Sequence, residues 1–170
     1  MADDLREKLV DYIQDAHAIE QNVLRMLDSM IATTTDQETV ARLQQPRGET
    51  ERHEQLLRGR LEALGVGASP VAEATAVAGA MVKGIGDRVR ADKPGKNARD
   101  GYITEHTEIA AYELLERLAN RAGDPETAQV ARMIRQDEEV MAQWIAARWD
   151  KFIDLTLAEA ALPATSGAST

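Results

Sequence analysis

Glu105-His-Thr-Glu108-Ile-Ala-Ala-Tyr112-Glu-Leu-Leu115 is the stretch on which the reading of the fold turns. Steps of three and four place Glu105, Glu108, Tyr112, Leu115 and Ala119 along one side of a helix. The later part of that line is apolar and must face a core. A carboxylate on a core-facing line is expensive unless something pairs with it. Three other segments repeat the arrangement. On the first, Ile13, His17, Glu20, Leu24 and Leu27 share a face. On the second, Glu49, His53, Leu56 or Leu57, and Arg60 fall on one side. On the last, Ala131, Ile134, Glu138, Met141 and Ile145 do the same, with apolar residues one turn before and one turn after the glutamate. Four helices that each bring a carboxylate inward are how a bundle builds a two-metal centre.

Glutamate is a strong helix former and is ordinarily solvated, so one such line alone would signify little. Four together, with all three histidines of the chain nearby, favour metal binding. His106 lies about 100° off the Glu105–Glu108 line and reads as a supporting or surface residue. Tyr112 either hydrogen-bonds a carboxylate or is an ordinary tyrosine at the core edge. Asp137 and Glu139 read as surface charges. The two halves of the chain also echo each other: Glu20-Gln-Asn-Val-Leu-Arg-Met-Leu27 overlays Glu108-Ile-Ala-Ala-Tyr-Glu-Leu-Leu115, as a repeat of helix pairs would.

Outward from these segments, the apolar periodicity predicts a first helix from about Asp4 to Ile31, ended by Thr33-Thr-Thr-Asp36. A second helix starts near Gln37 and stops at Gly65, with Pro46 and Gly48 predicting a kink or two pieces. Gly65 to Asn97 reads as a crossover, with a helix from about Pro70 to Val89 and a loop over Ala91–Asn97. The third long helix is expected from about Ala98 to Arg121. After the break at Gly123-Asp124-Pro125, a fourth is expected to about Ile153, with Val130, Met141 and Trp149 among its inward residues. Residues 1–155 form the expected bundle domain, and 156–170 a disordered tail.

The chain has 170 residues, enough for one domain with a proper core. It carries 29 acidic and 20 basic residues, net charge -9, which argues against nucleic-acid backbone as a partner. Cysteine is absent, which excludes disulfides, thiolate metal sites and a cysteine nucleophile, and fits a cytoplasmic protein. The N-terminus lacks a signal-like apolar run. The most apolar stretch, Val71 to Val82, is too short to span a bilayer, so no membrane role is expected. Only two Trp, three Tyr and one Phe are present, which favours an aliphatic, helix-packed core.

The string His106-Thr-Glu-Ile-Ala-Ala-Tyr112, with Glu49-Thr50 and Leu61-Glu-Ala-Leu-Gly65, resembles the bacterial stress-associated ferritin-like proteins of the YciF type over about residues 4 to 155. The resemblance implies an all-α, ferritin-like four-helix bundle with a helical crossover between its second and third long helices. It implies a homodimer with a centre for two metal ions, held by Glu20, Glu49, His53, Glu105, Glu108 and Glu138. The general di-iron pattern has Glu-x-x-His on two helices. Here Glu49 and His53 are four apart, and Met141 stands where a second histidine would be, so Glu105 is the residue able to complete a carboxylate-rich site. Hard oxygen ligands favour iron or manganese, with oxygen or peroxide as substrate in a ferroxidase or peroxide-scavenging reaction. The alternative is a metal-free helical stress or scaffold protein that acts through protein–protein contacts, and an adaptor binding through Val71–Val82 is a third.

Overall fold

The structure, a computed structural model, describes residues 2–33, 37–66 and 93–162. Every element among them is helical: α1 (Ala2–Thr33), α2 (Gln37–Ala63), α3 (Lys93–Ala122), α4 (Pro125–Ala146) and α5 (Trp149–Glu159). The first four form a bundle. The most extensive packing is α3 on α4 and α1 on α2, with α1 against α3, a lighter α2–α4 contact, and α5 laid on α3. The core is aliphatic, as the scarcity of aromatics predicts: Leu9, Ile13, Leu57, Leu61, Leu115 and Ile134 are buried together with small alanines and a single aromatic, Tyr112.

Side-chain pairs fix the directions. Arg47 on α2 meets Asp28 on α1, and Arg6 reaches the Leu64 carbonyl beyond the end of α2, so α1 and α2 are antiparallel. Arg52 meets Asp137 on α4, while Arg60 meets Asp124 and Thr127 at its start, so α2 and α4 are antiparallel too. Arg132 pairs with Glu116, and Arg135 with Glu113, across the antiparallel α3–α4 pair. It follows that α2 and α3 run parallel, and that α3 starts at the end of the bundle opposite the start of α1. The chain between them must cross the bundle's length, as in crossover-connected four-helix bundles. The expected helix over 70–89 falls inside that connection, and the tail from 163 lies beyond α5; both are outside the described residues.

Two helix ends close with glycine at positive φ, Gly65 at 75° and Gly123 at 72°. In each, the following amide reaches back five residues, Val66 to Leu61 and Asp124 to Ala119, which satisfies carbonyls the helix leaves open. Asp124 caps α4 by accepting from the Thr127 amide at 3.0 Å, with Pro125 in the first turn. Burial works against the Asp124 charge, but hydrogen bonds from Thr127 and Arg60 outweigh it and hold its pKa below the ordinary carboxylate value.

Three expectations about boundaries are corrected. Of the kink or two pieces expected at Pro46, the two pieces are excluded, because helix α2 runs through Pro46 unbroken. Residues 93–97, expected in a loop, form the first turns of α3; Pro94 sits where no intrahelical amide bond is required, and the Gly95 amide donates to Thr156 Oγ1 at 2.9 Å. The fourth helix stops at Ala146, and the chain resumes as α5 after a turn at Ala147–Arg148. That turn lets Trp149 meet Tyr102 edge-to-face at 5.4 Å, and leaves Trp149 on the surface rather than inward. No helix among the described residues is long and apolar enough to cross a membrane.

Candidate metal centre

Halfway along the bundle, the apolar core gives way to a buried polar cluster. Glu20 on α1, His53 on α2 and Glu138 on α4 bring one ligand atom each within 4.8 Å of one another. Glu105 and Glu108 on α3 do the same with Glu138. Glu138 is therefore common to both groups. Glu20, His53, Glu108 and Glu138 are buried, with Glu20 fully so at 0% exposure, while Glu105 is half-buried. Below them α1, α2, α3 and α4 pack Ile13, Leu57, Leu115 and Ile134, which fix the helix rotations that aim the carboxylates inward.

Charge at this depth must be compensated. Burial disfavours the charge on His53, but Glu138 and Glu20 outweigh it and raise its pKa to about 10. Its Nδ1 lies 3.0 Å from Glu138 Oε1 and 3.6 Å from Glu20 Oε1, off the line of a hydrogen bond to either. Its other nitrogen, Nε2, donates to Asp137 Oδ2 at 3.1 Å, and Arg52 holds that same oxygen at 2.6 Å. Burial, and then Glu138, push Glu105 up to about 10. Burial and the neighbouring Glu20, Glu138 and Glu105 carboxylates push Glu108 well above its ordinary value. Burial raises Glu20 too, partly offset by His53 and by Tyr112, whose hydroxyl donates to Glu20 Oε1. Glu20 Oε2, Glu105 Oε2, Glu108 Oε1 and His53 Nδ1 are buried with no hydrogen-bond partner. Native interiors rarely leave such atoms unsatisfied. Of the six such side-chain atoms among the described residues, these four gather in the cluster, and the other two are Asn22 Nδ2 and Arg135 Nε.

Of the six residues singled out in the sequence, five converge. Glu49 does not: it accepts from Gln45 Nε2 at 3.2 Å near the surface of α2 and joins neither group. The residue three before His53, on its face, is Thr50, which is buried. His17 pairs with Glu54 at 2.8 Å, and Glu54 also meets Arg58; His17 is in neither group. His106 is on the surface, edge-to-face with Tyr102 at 4.4 Å. Asp137, read as a surface charge, orients the buried histidine. The signal for it was available in the sequence, because Asp137 immediately precedes an inward glutamate and a carboxylate supporting a ligand histidine is common.

The donor set suits a metal: carboxylate oxygens and an imidazole nitrogen are what iron and manganese take, and four carboxylates match the charge of two divalent ions. Fold and cluster together define a ferritin-like four-helix bundle with a buried acidic/histidine cluster able to bind a metal ion. The chain belongs to the family described as a domain of unknown function, DUF892, which matches residues 4–158. A protein of solved structure from Xanthomonas campestris pv. campestris str. ATCC 33913 is 28% identical, with a TM-score of 0.74 over 94% of this chain and 99% of that one. The bacterioferritin of Desulfovibrio desulfuricans, described with a diiron site, superposes with a TM-score of 0.74 at 17% identity, over 100% of this chain and 96% of that one. YcfI of Rhodopseudomonas palustris gives a TM-score of 0.64 at 17% identity, over 84% and 92%. The last two likenesses speak for the fold alone.

Proposed function

We propose that the protein is a dimetal carboxylate protein whose centre holds two iron or manganese ions between Glu20, His53, Glu105, Glu108 and Glu138. The observation that carries this is the convergence in one place of buried donor atoms without hydrogen-bond partners, Glu20 Oε2, Glu108 Oε1, Glu105 Oε2 and His53 Nδ1, the last in ion-pair contact with Glu138. Glu138, common to both groups, is the residue suited to bridge. Asp137 fixes the imidazole so that Nδ1 faces the cluster, and Tyr112 holds one oxygen of Glu20 while leaving the other open. Glu49 has no part in this ligand set.

Ferrous iron bound here would supply electrons for reduction of oxygen or peroxide, a ferroxidase or peroxide-scavenging activity. The chain's own contribution is to exclude bulk water, since four of the five ligands are buried, and to hold protons on Glu105 and Glu108 that metal binding releases. A homodimer serving a cytoplasmic stress response is the setting that the resemblance to YciF-type proteins supports.

One observation favours the metal-free alternative, a scaffold bundle. The protonated His53, set between Glu20 and Glu138, offsets part of the buried charge without an ion. Elemental analysis of protein purified without chelator separates the two readings. The metal reading expects close to two ions per chain, reduced in Glu108→Gln and in Glu138→Gln. Unchanged metal content in both variants would reject this site, and metal-free wild type that takes up neither iron nor manganese would leave the scaffold reading.

A further inference from the structure

The two groups that share Glu138 are chemically unequal. One has Glu20, His53 and Glu138, two carboxylates and an imidazole. The other has Glu105, Glu108 and Glu138, oxygen donors only. A symmetric centre built from two Glu-x-x-His segments gives each ion one nitrogen. In this chain Thr50 stands three before His53, and Met141 three after Glu138, so the nitrogen is confined to one half. Glu105, one turn before Glu108 on α3, adds an oxygen donor to the other half. That second half is a built site in its own right: Glu108 is 2% exposed, and Glu108 Oε1 and Glu105 Oε2 are buried without hydrogen-bond partners.

Resting on the dimetal reading, we propose that the centre is mixed-metal: the Glu20–His53–Glu138 half takes iron, and the Glu105–Glu108–Glu138 half takes manganese or a similarly hard divalent ion. Manganese lies below iron in the general affinity order for nitrogen, oxygen and sulfur sites, and imidazole is among the ligands that suit iron. An all-carboxylate site gives iron less advantage and suits manganese. His53 is also held by Asp137, which Arg52 holds in turn, and this commits its Nδ1 to the first half alone. Nothing comparable supplies nitrogen to the second half, because His106 faces the surface beside Tyr102, and His17 is engaged by Glu54.

The test is competition. Full-length protein stripped with chelator is given Mn2+ and Fe2+ together, each in equal excess over two sites per chain, without oxygen, desalted, and assayed for both metals, with bound Mn2+ read by electron paramagnetic resonance. One manganese and one iron per chain are expected. Glu105→Gln should weaken manganese binding by about tenfold or more, with iron affinity changed by less than about threefold. His53→Gln should cut the preference for iron over manganese by about tenfold, with circular dichroism confirming that each variant keeps its helicity. Two irons and no manganese in the wild type, or equal loss of both metals in Glu105→Gln, overturns the mixed-metal proposal and leaves the dimetal reading intact. A chain that binds neither ion overturns both. The wild-type competition decides even where a variant fails to fold.

Discussion

At the scale of single residues, the cluster's behaviour is set by partners rather than by the ligands alone. Asp137 accepts from His53 Nε2 and so fixes the ring orientation in which Nδ1 faces Glu20 and Glu138. Asp137→Asn should keep the fold and reduce metal affinity by about 10- to 100-fold, as loss of a ligand-supporting carboxylate does elsewhere. Calorimetric titration with Mn2+ measures it, and an unchanged affinity would show that His53 needs no such support. Tyr112→Phe deletes the hydroxyl bonded to Glu20 Oε1 and leaves that oxygen buried with nothing donated to it. The metal-free variant should lose about 1–3 kcal/mol in urea unfolding. Saturating metal should recover part of that loss, since the ion supplies the missing compensation. The sequence made Glu20, Glu108 and Glu138 legible because each interrupts an apolar line. It misled at Glu49, where a four-residue step to His53 hid the buried Thr50. Periodicity missed Asp137, because it sees only an element's own face, whereas Asp137 reaches from α4 to a histidine of α2.

At the scale of elements, the helix ends join the bundle through polar contacts as its middle does through the core. Arg60 on α2 donates to Thr127 and Asp124, and pairs with Glu126, so the start of α4 is tied to α2 across the bundle. Asp124→Ala removes the α4 cap and the Arg60–Asp124 part of this tie, leaving Arg60 to Thr127 and Glu126, and should lower stability by about 1 kcal/mol or somewhat more. A denaturant series on metal-free protein reads it; no loss would mean that the cap is replaced by water. The Asp124 cap, the proline after it and the stop at Gly65 were legible because their chemistry is local. The break after Ala146 was not. No glycine or proline marks it, and α5 turns onto α3 through tertiary contacts, Trp149 with Tyr102 and Thr156 with the Gly95 amide, that no local signal encodes. Lys93–Asn97 was misread for the converse reason: Pro94 and Gly95 resemble loop residues, yet a helix's first turn tolerates proline, and Thr156 receives the Gly95 amide.

At the scale of the whole molecule, the metal-free bundle has its charge burden concentrated in one place, and pH exposes it. His53 has a folded-state pKa of about 10 against an ordinary 6.5, so its contribution is full below 6.5 and is lost as pH rises toward 10. Glu105 has a folded value of about 10 against 4.5; its contribution likewise fades as pH climbs through that window, and Glu108 shifts the same way. Asp124 has the opposite sign, but its contribution is lost only as pH falls below its ordinary value of 3.8. The melting temperature of the metal-free protein should therefore fall between about pH 6 and about pH 9. The gain on adding Mn2+ should grow over the same range, because protons and metal compete for the same oxygens. A flat profile in both forms would mean that these groups titrate as though exposed.

The central claim, that five side chains from four helices hold two ions, is tested most directly by diffraction from crystals of the metal-loaded protein at the manganese and iron absorption edges. The account predicts two anomalous peaks inside the bundle, one against Glu20 and His53, the other against Glu105 and Glu108, with Glu138 touching both. An interior without anomalous density in crystals soaked to saturation, with His53 still paired to Glu20 and Glu138, would contradict it.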